Sequence, residues 1–183
     1  MIAAFAALAL LAPAQDPESV IATAPGAQVE TAEALRRREA IAYATPMPRS
    51  APTEDYPLVA WCEAFVGGHV ALGEELASTD DLDRLIVSLG RDERDSFHEA
   101  LEAARPRQSA ETLAKAEAGR KAAEGEWVRL MNGATAEQKD GIFGLFFGLP
   151  GRCEHAARRI TGNITTPPAT LADVGIEVEE GGE

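Results

Sequence analysis

One periodicity limits what this chain can become. From Leu58 the large side chains recur as Leu58, Trp61 with Cys62, Phe65, His69, Leu72 and Leu76. Steps of three and four place them on one face of a helix. The rhythm returns further on. Leu82, Leu85, Ile86 and Leu89 form a second stripe, expected to be buried, which Phe97, Leu101 and Ala104 continue as far as Pro106. Leu113, Ala116, Arg120, Ala123, Trp127, Leu130 and Met131 form a third between Ser109 and Asn132. Apolar–polar alternation, the mark of a half-buried strand, is confined to Val174 to Val178. The fold class expected is therefore all-α, an antiparallel helical bundle of about four main helices.

Local signals give these helices ends. Thr53 or Asp55 can cap the first, and Pro57 suits its opening turn. Thr79 is the expected cap of the second, with Asp80, Asp81 and Asp83 near its positive end. Gly90 threatens to break that helix, since glycine costs up to ~1 kcal/mol in a helix interior. Gly133 is placed to end the third. Thr135-Ala-Glu-Gln138 reads as a capping box that opens the fourth. The stretch Gly141-Ile-Phe-Gly-Leu-Phe-Phe-Gly148 follows, and Ile142 to Leu149 is apolar on every side. A helix of that kind is expected to be central. Gly141, Gly144 and Gly148 should give it a groove in close contact with Gly67, Gly68 and Gly73 of the first helix. Pro150 then precedes a short last helix, Gly151 to Thr161, with Cys153, Ala157 and Ile160 on its apolar side.

Four segments follow from composition. Residues 1–14 read as a signal peptide: an apolar run too short to span a bilayer, with Ala12 and Ala14 spaced for cleavage before Gln15. No Lys or Arg precedes the run, so an upstream start codon is expected to supply the missing charge. Residues 15–50 form a proline-punctuated leader in which Val29 to Ala44 is either a short docked helix or a mobile arm. Residues 51–162 form the bundle, and residues 163–183 an acidic tail expected to be disordered. The address implied is the bacterial periplasm or the exterior. In that oxidising setting Cys62 and Cys153, the only cysteines, are expected to form one inter-helix disulfide. The net charge of −13 opposes phosphate backbones and anionic lipid surfaces, so nucleic acid is not an expected partner. Nothing after residue 14 reads as membrane-spanning.

Motifs that carry chemistry are scarce. His69, His98 and His155 fall on three different helices, and neither paired Glu-x-x-His dyads nor a Cys-x-x-Cys occurs. No metal or cofactor is therefore expected, nor any catalytic residue, and His69 reads as a hydrogen-bonded core histidine. The aromatic side chains leave three readings open for Trp61, Phe65, Phe143, Phe146 and Phe147. They can be a tightly packed helix contact, a pocket for a small apolar ligand, or an exposed surface that grips a partner.

Two stretches carry resemblances. Thr135-Ala-Glu-Gln138 at a helix start looks like the Thr-x-x-Gln element of Spy/CpxP-type periplasmic stress chaperones, with Ala134 where that element has Leu. Asp55-Tyr-Pro-Leu-Val-Ala-Trp-Cys-Glu-Ala-Phe-Val-Gly-Gly-His69 is similar to a segment of uncharacterised exported helical proteins of Caulobacter-like bacteria. The second resemblance implies a lineage and an address, and no activity. The function expected is non-catalytic: contact with a protein partner in the cell envelope. A carrier or sensor of a small apolar molecule is the alternative; a stress-chaperone-like protein or an enzyme stands behind both.

Overall fold

The helix that begins near Leu58 is buried nearly all the way round. A computed structural model describes residues 30–144 and 149–177. The expected signal peptide, Phe146, Phe147, Gly148 and residues 178–183 lie outside the described residues. Six α-helices and no strand occur among those described: α1 Ala32–Ala44, α2 Asp55–Leu76, α3 Asp81–Ala104, α4 Ala110–Met131, α5 Ala136–Gly144 and α6 Arg152–Thr161.

The ends form as side-chain chemistry dictates, with two corrections. Asp80, not Thr79, caps α3, its carboxylate accepting from the Leu82 amide at 2.8 Å and from that of Asp83. At α2 the N-cap is Glu54, and neither Thr53 nor Asp55 makes a side-chain cap bond. Ser109 caps α4, and Thr135 and Gln138 close the reciprocal box at α5, with the Thr135 amide donating to Gln138 Oε1 at 2.9 Å. Each such cap is worth about 1 kcal/mol.

α2 is the axis of the molecule. Leu58, Val59, Ala60, Trp61, Cys62, Val66 and Val70 are all sealed from solvent, so neighbours must cover every side of it. α3 runs antiparallel to α2, pairing Arg91 with Glu74 near one end and Tyr56 with the Leu101 carbonyl near the other. α4 runs in the same direction as α2: Lys115 meets Glu54, and Trp127 meets Phe65. α5 and α6 return antiparallel to α2, placing Lys139 by Glu75 and Arg159 by Asp55. Cys62 and Cys153 are joined by a disulfide that fastens α2 to α6, with Cα atoms 6.1 Å apart. Closing a loop of this length stabilises the fold by roughly 4–5 kcal/mol in the chain-entropy model.

The central position belongs to α2 and not to the Phe-rich stretch around α5. Phe143 is the one buried residue of α5. Gly141 and Gly144 face open space, whereas the close approaches fall at Gly68 and Gly73. A Cβ on Gly68 would run into the Trp127 indole, and one on Gly73 would meet the side chains of Val87 and Phe143. Gly90 does not break α3. Its missing side chain makes room for Val70, whose Cγ2 lies 2.9 Å from where a Cβ would stand.

α1 is held by charge more than by apolar contact. The buried Arg159 guanidinium donates to Glu39 at 3.0 Å, to Asp55 at 2.9 Å and to the Thr166 carbonyl. Tyr43 of α1 donates to the same Asp55, and the Arg152 guanidinium lies 4.6 Å from its ring centre. Burial, then the hydrogen bond to Asp55, push the Tyr43 phenol far above its ordinary range. The described part of the C-terminal segment carries a short 3-10 turn, Ala172–Val174, beside α1. In that turn Asp173 accepts from the Thr170 amide.

Gly68→Val should therefore cost at least about 2 kcal/mol through overpacking. Gly144→Ala should be neutral or stabilise by up to ~1 kcal/mol. Urea unfolding of the two variants checks the pair. Equal losses would place the close contact elsewhere.

Candidate functional site

The aromatic residues singled out in the sequence come together as one column. Trp61, Phe65 and His69 lie four residues apart on α2 and so share a face. Trp61 stacks on Phe65 with ring centres 4.7 Å apart, and Phe65 meets Trp127 of α4 at 5.3 Å. His69 lies 6.2 Å from Trp127 and stacks on Phe143 of α5 at 4.6 Å. Two hydrogen bonds fix the column: the Trp127 indole N–H donates to the Phe65 carbonyl at 2.7 Å, and His69 Nε2 donates to the Phe143 carbonyl at 3.2 Å.

Three of the five aromatic candidates, Trp61, Phe65 and Phe143, are thus placed in one column. Trp61 and Phe143 are buried and Phe65 half-buried; Phe146 and Phe147 are outside the described residues. Trp61 on Phe65 and His69 on Phe143 are stacked, whereas Phe65 and His69 are tilted against Trp127. The column joins α2, α4 and α5, and offset or tilted pairs of this kind add about 0.5–1.5 kcal/mol each beyond the area they bury.

A second constellation lies between α3 and α4, with α2 as its floor. The buried Glu63 carboxylate accepts from His98 Nδ1 of α3 at 2.9 Å and forms an ion pair with Arg120 Nη2 of α4 at 2.8 Å. Beside it is a cleft of about 370 Å³ over Ala64, Gly67 and Gly68, walled by Arg94, Glu124 and Trp127. A carboxylate that accepts from Nδ1–H leaves Nε2 as the acceptor, which is how a general base is oriented. The trio ties α3 and α4 to α2. Among the described residues no group of three or more His, Cys, Asp or Glu side chains is placed to hold a metal ion.

The third feature reverses an expectation. Of the expected stripe Leu82, Leu85, Ile86 and Leu89, only Ile86 packs against the core; Leu82, Leu85 and Leu89 are 62%, 53% and 57% exposed. Val87, Phe97, Ala100, Leu101 and Ala104 occupy the side of α3 that faces inward. The three leucines keep a spacing of three and four, so they line up along one exposed strip at the amino-terminal half of the helix. They make a row of three exposed apolar side chains on a surface otherwise rich in charge.

Comparison of the chain with protein-family models, with curated proteins and with solved structures gave no match. None of the described helices is long and apolar enough to cross a membrane.

The buried histidines make stability depend on pH. Burial lowers the affinity of His69 for a proton, opposed by its bond to the Phe143 carbonyl. Burial also lowers that of His155, whose Nδ1 has no hydrogen-bond partner among the described residues. Both imidazoles titrate below the ordinary value near 6.5, so the unfolded chain binds protons that the folded chain refuses. Their contribution is complete above that value and is lost as pH falls below it, by at most about 1.4 kcal/mol per pH unit for each group. The melting temperature followed by circular dichroism should fall from pH 7.5 to 5.5, and His155→Gln should flatten the fall. A melting temperature that rises over this window would contradict the assignment.

Proposed function

We propose that this protein is exported and works without catalysis, by contact with a protein partner in the cell envelope, and that the amino-terminal half of α3 is the contact face. The exposed line Leu82, Leu85 and Leu89 carries the reading. Leaving three leucines in water forgoes several kcal/mol of burial, a sacrifice that a binding surface recovers on association. Export is supported by the apolar run before Gln15 and by the Cys62–Cys153 bridge, since disulfides persist in oxidising compartments. The cell-envelope address is that of the exported proteins that Asp55 to His69 resembles. In this reading the helices form an antiparallel bundle in the broad sense, α5 and α6 together making the fourth leg.

The alternative, a carrier of a small apolar molecule, would draw on Trp61, Phe65 and Phe143. Those rings are occupied with one another and with Trp127 and His69, which favours contact over carriage. A photo-crosslinking residue at Leu85 should give a discrete heavier product in cells of the source organism. The same residue at Glu117, exposed on α4, should give none. The mature protein should begin at Gln15. Absence of a Leu85 product, or the same product from both positions, would overturn the contact face, and a retained Met1 would overturn export.

A further inference from the structure

The charges around the leucines indicate what they meet. On a helix, Asp92 continues the line of Leu85 and Leu89, being seven and three residues beyond them, and Asp81 and Glu93 border it on opposite sides. Every arginine of this stretch is already engaged: Arg84 by Asp81, Arg91 by Glu74 and Arg94 by Asp95. Asp92 and Glu93 have no ion-pair partner among the described residues. Across the α3–α6 boundary Glu154 leans to Arg38 at 3.5 Å, so no described cation offsets Glu93.

Resting on the contact reading above, we infer that the partner presents a cationic amphipathic helix, its apolar seam laid on Leu82, Leu85 and Leu89 and its lysines or arginines facing Asp92 and Glu93. A helix is the element whose side chains repeat at the spacing of these leucines, ridge into groove. The cations follow from the unpaired carboxylates, and a net charge of −13 speeds the approach of such a partner. A second copy of this chain fits less well, because it would bring the same carboxylates and the same net charge to the interface. The Glu93 carboxyl is held above its ordinary range by burial and by the Glu154 charge, a strain that a partner's cation relieves.

Three synthetic peptides of about five helical turns test this against the purified protein by calorimetry and by amide chemical shifts on α3. One carries a leucine seam flanked by lysines, one the same seam flanked by glutamates, and one the first composition scrambled. The lysine-flanked peptide should bind in the micromolar range, shift the amides of residues 82–93, and weaken as salt is raised. The other two should bind at least roughly tenfold more weakly. Leu85→Gln and Leu89→Gln leave the charge untouched and sit at exposed positions, so each should keep its melting temperature and lose roughly tenfold in affinity. Asp92→Asn with Glu93→Gln should flatten the salt dependence.

Equal binding of the glutamate-flanked peptide would overturn the cationic partner while leaving the contact face standing. Binding of none of the three would overturn both. Equal binding of the scrambled peptide would reduce the effect to net charge and overturn the seam. A concentration-dependent dimer in sedimentation, abolished by Leu85→Gln, would assign the face to a second copy and overturn the inference.

Discussion

Everything in this fold answers to the burial of α2. A helix sealed along Leu58 to Cys62 and again at Val66 and Val70 cannot be satisfied by one neighbour, because its apolar surface has no polar side to turn outward. α3, α4, α5 and α6 each cover a different part of it. The covering helices need only one apolar side apiece, and they differ in how they supply it. α4 brings the small Ala116, Gly119 and Ala123, and at Gly119 a Cβ would stand 3.0 Å from the Pro57 carbonyl of α2. α3 brings the larger Val87, Phe97 and Leu101. α6, the shortest cover after α5, is secured by the Cys62–Cys153 bridge.

The periphery follows a different rule. α1 buries little apolar surface, and its hold on the body runs through Arg159, which gathers α1, α2 and the segment after α6 around one guanidinium. Such a buried charge adds little net stability while intact, yet removing one member leaves the rest unpaired at a cost of several kcal/mol. α1 is thus docked specifically but not strongly. The amino-terminal strip of α3 has neither kind of cover among the described residues, and Leu82, Leu85 and Leu89 are left in solvent.

Much of this was legible in the residues, and the misses share a cause. Periodicity located the helices, caps and glycines set several ends, and the cysteine pairing followed from there being two. His69 was read as a hydrogen-bonded core histidine and is one. What periodicity cannot supply is register between helices. Trp127 stood on the inward side of its helix in the sequence, yet nothing there said it would lie on Gly68 and donate to Phe65. The Glu63, His98 and Arg120 trio was invisible for the same reason, being drawn from three helices. The leucines of α3 show the converse limit: an apolar stripe does not say which residues cover it, and among the described residues none covers these three. Gly144 shows that a glycine in an apolar run can mark open space as readily as a close contact.

Native-state hydrogen exchange tests the central claim most directly, since it ranks each helix by the free energy needed to open it. With α2 as the axis, the amides from Val59 to Val70 should exchange slowest, at rates set by global unfolding. Those of α1 and of the amino-terminal half of α3 should open earlier by local fluctuation. Exchange in α2 as fast as in α1, or slower exchange in the outer helices than in α2, would contradict the account.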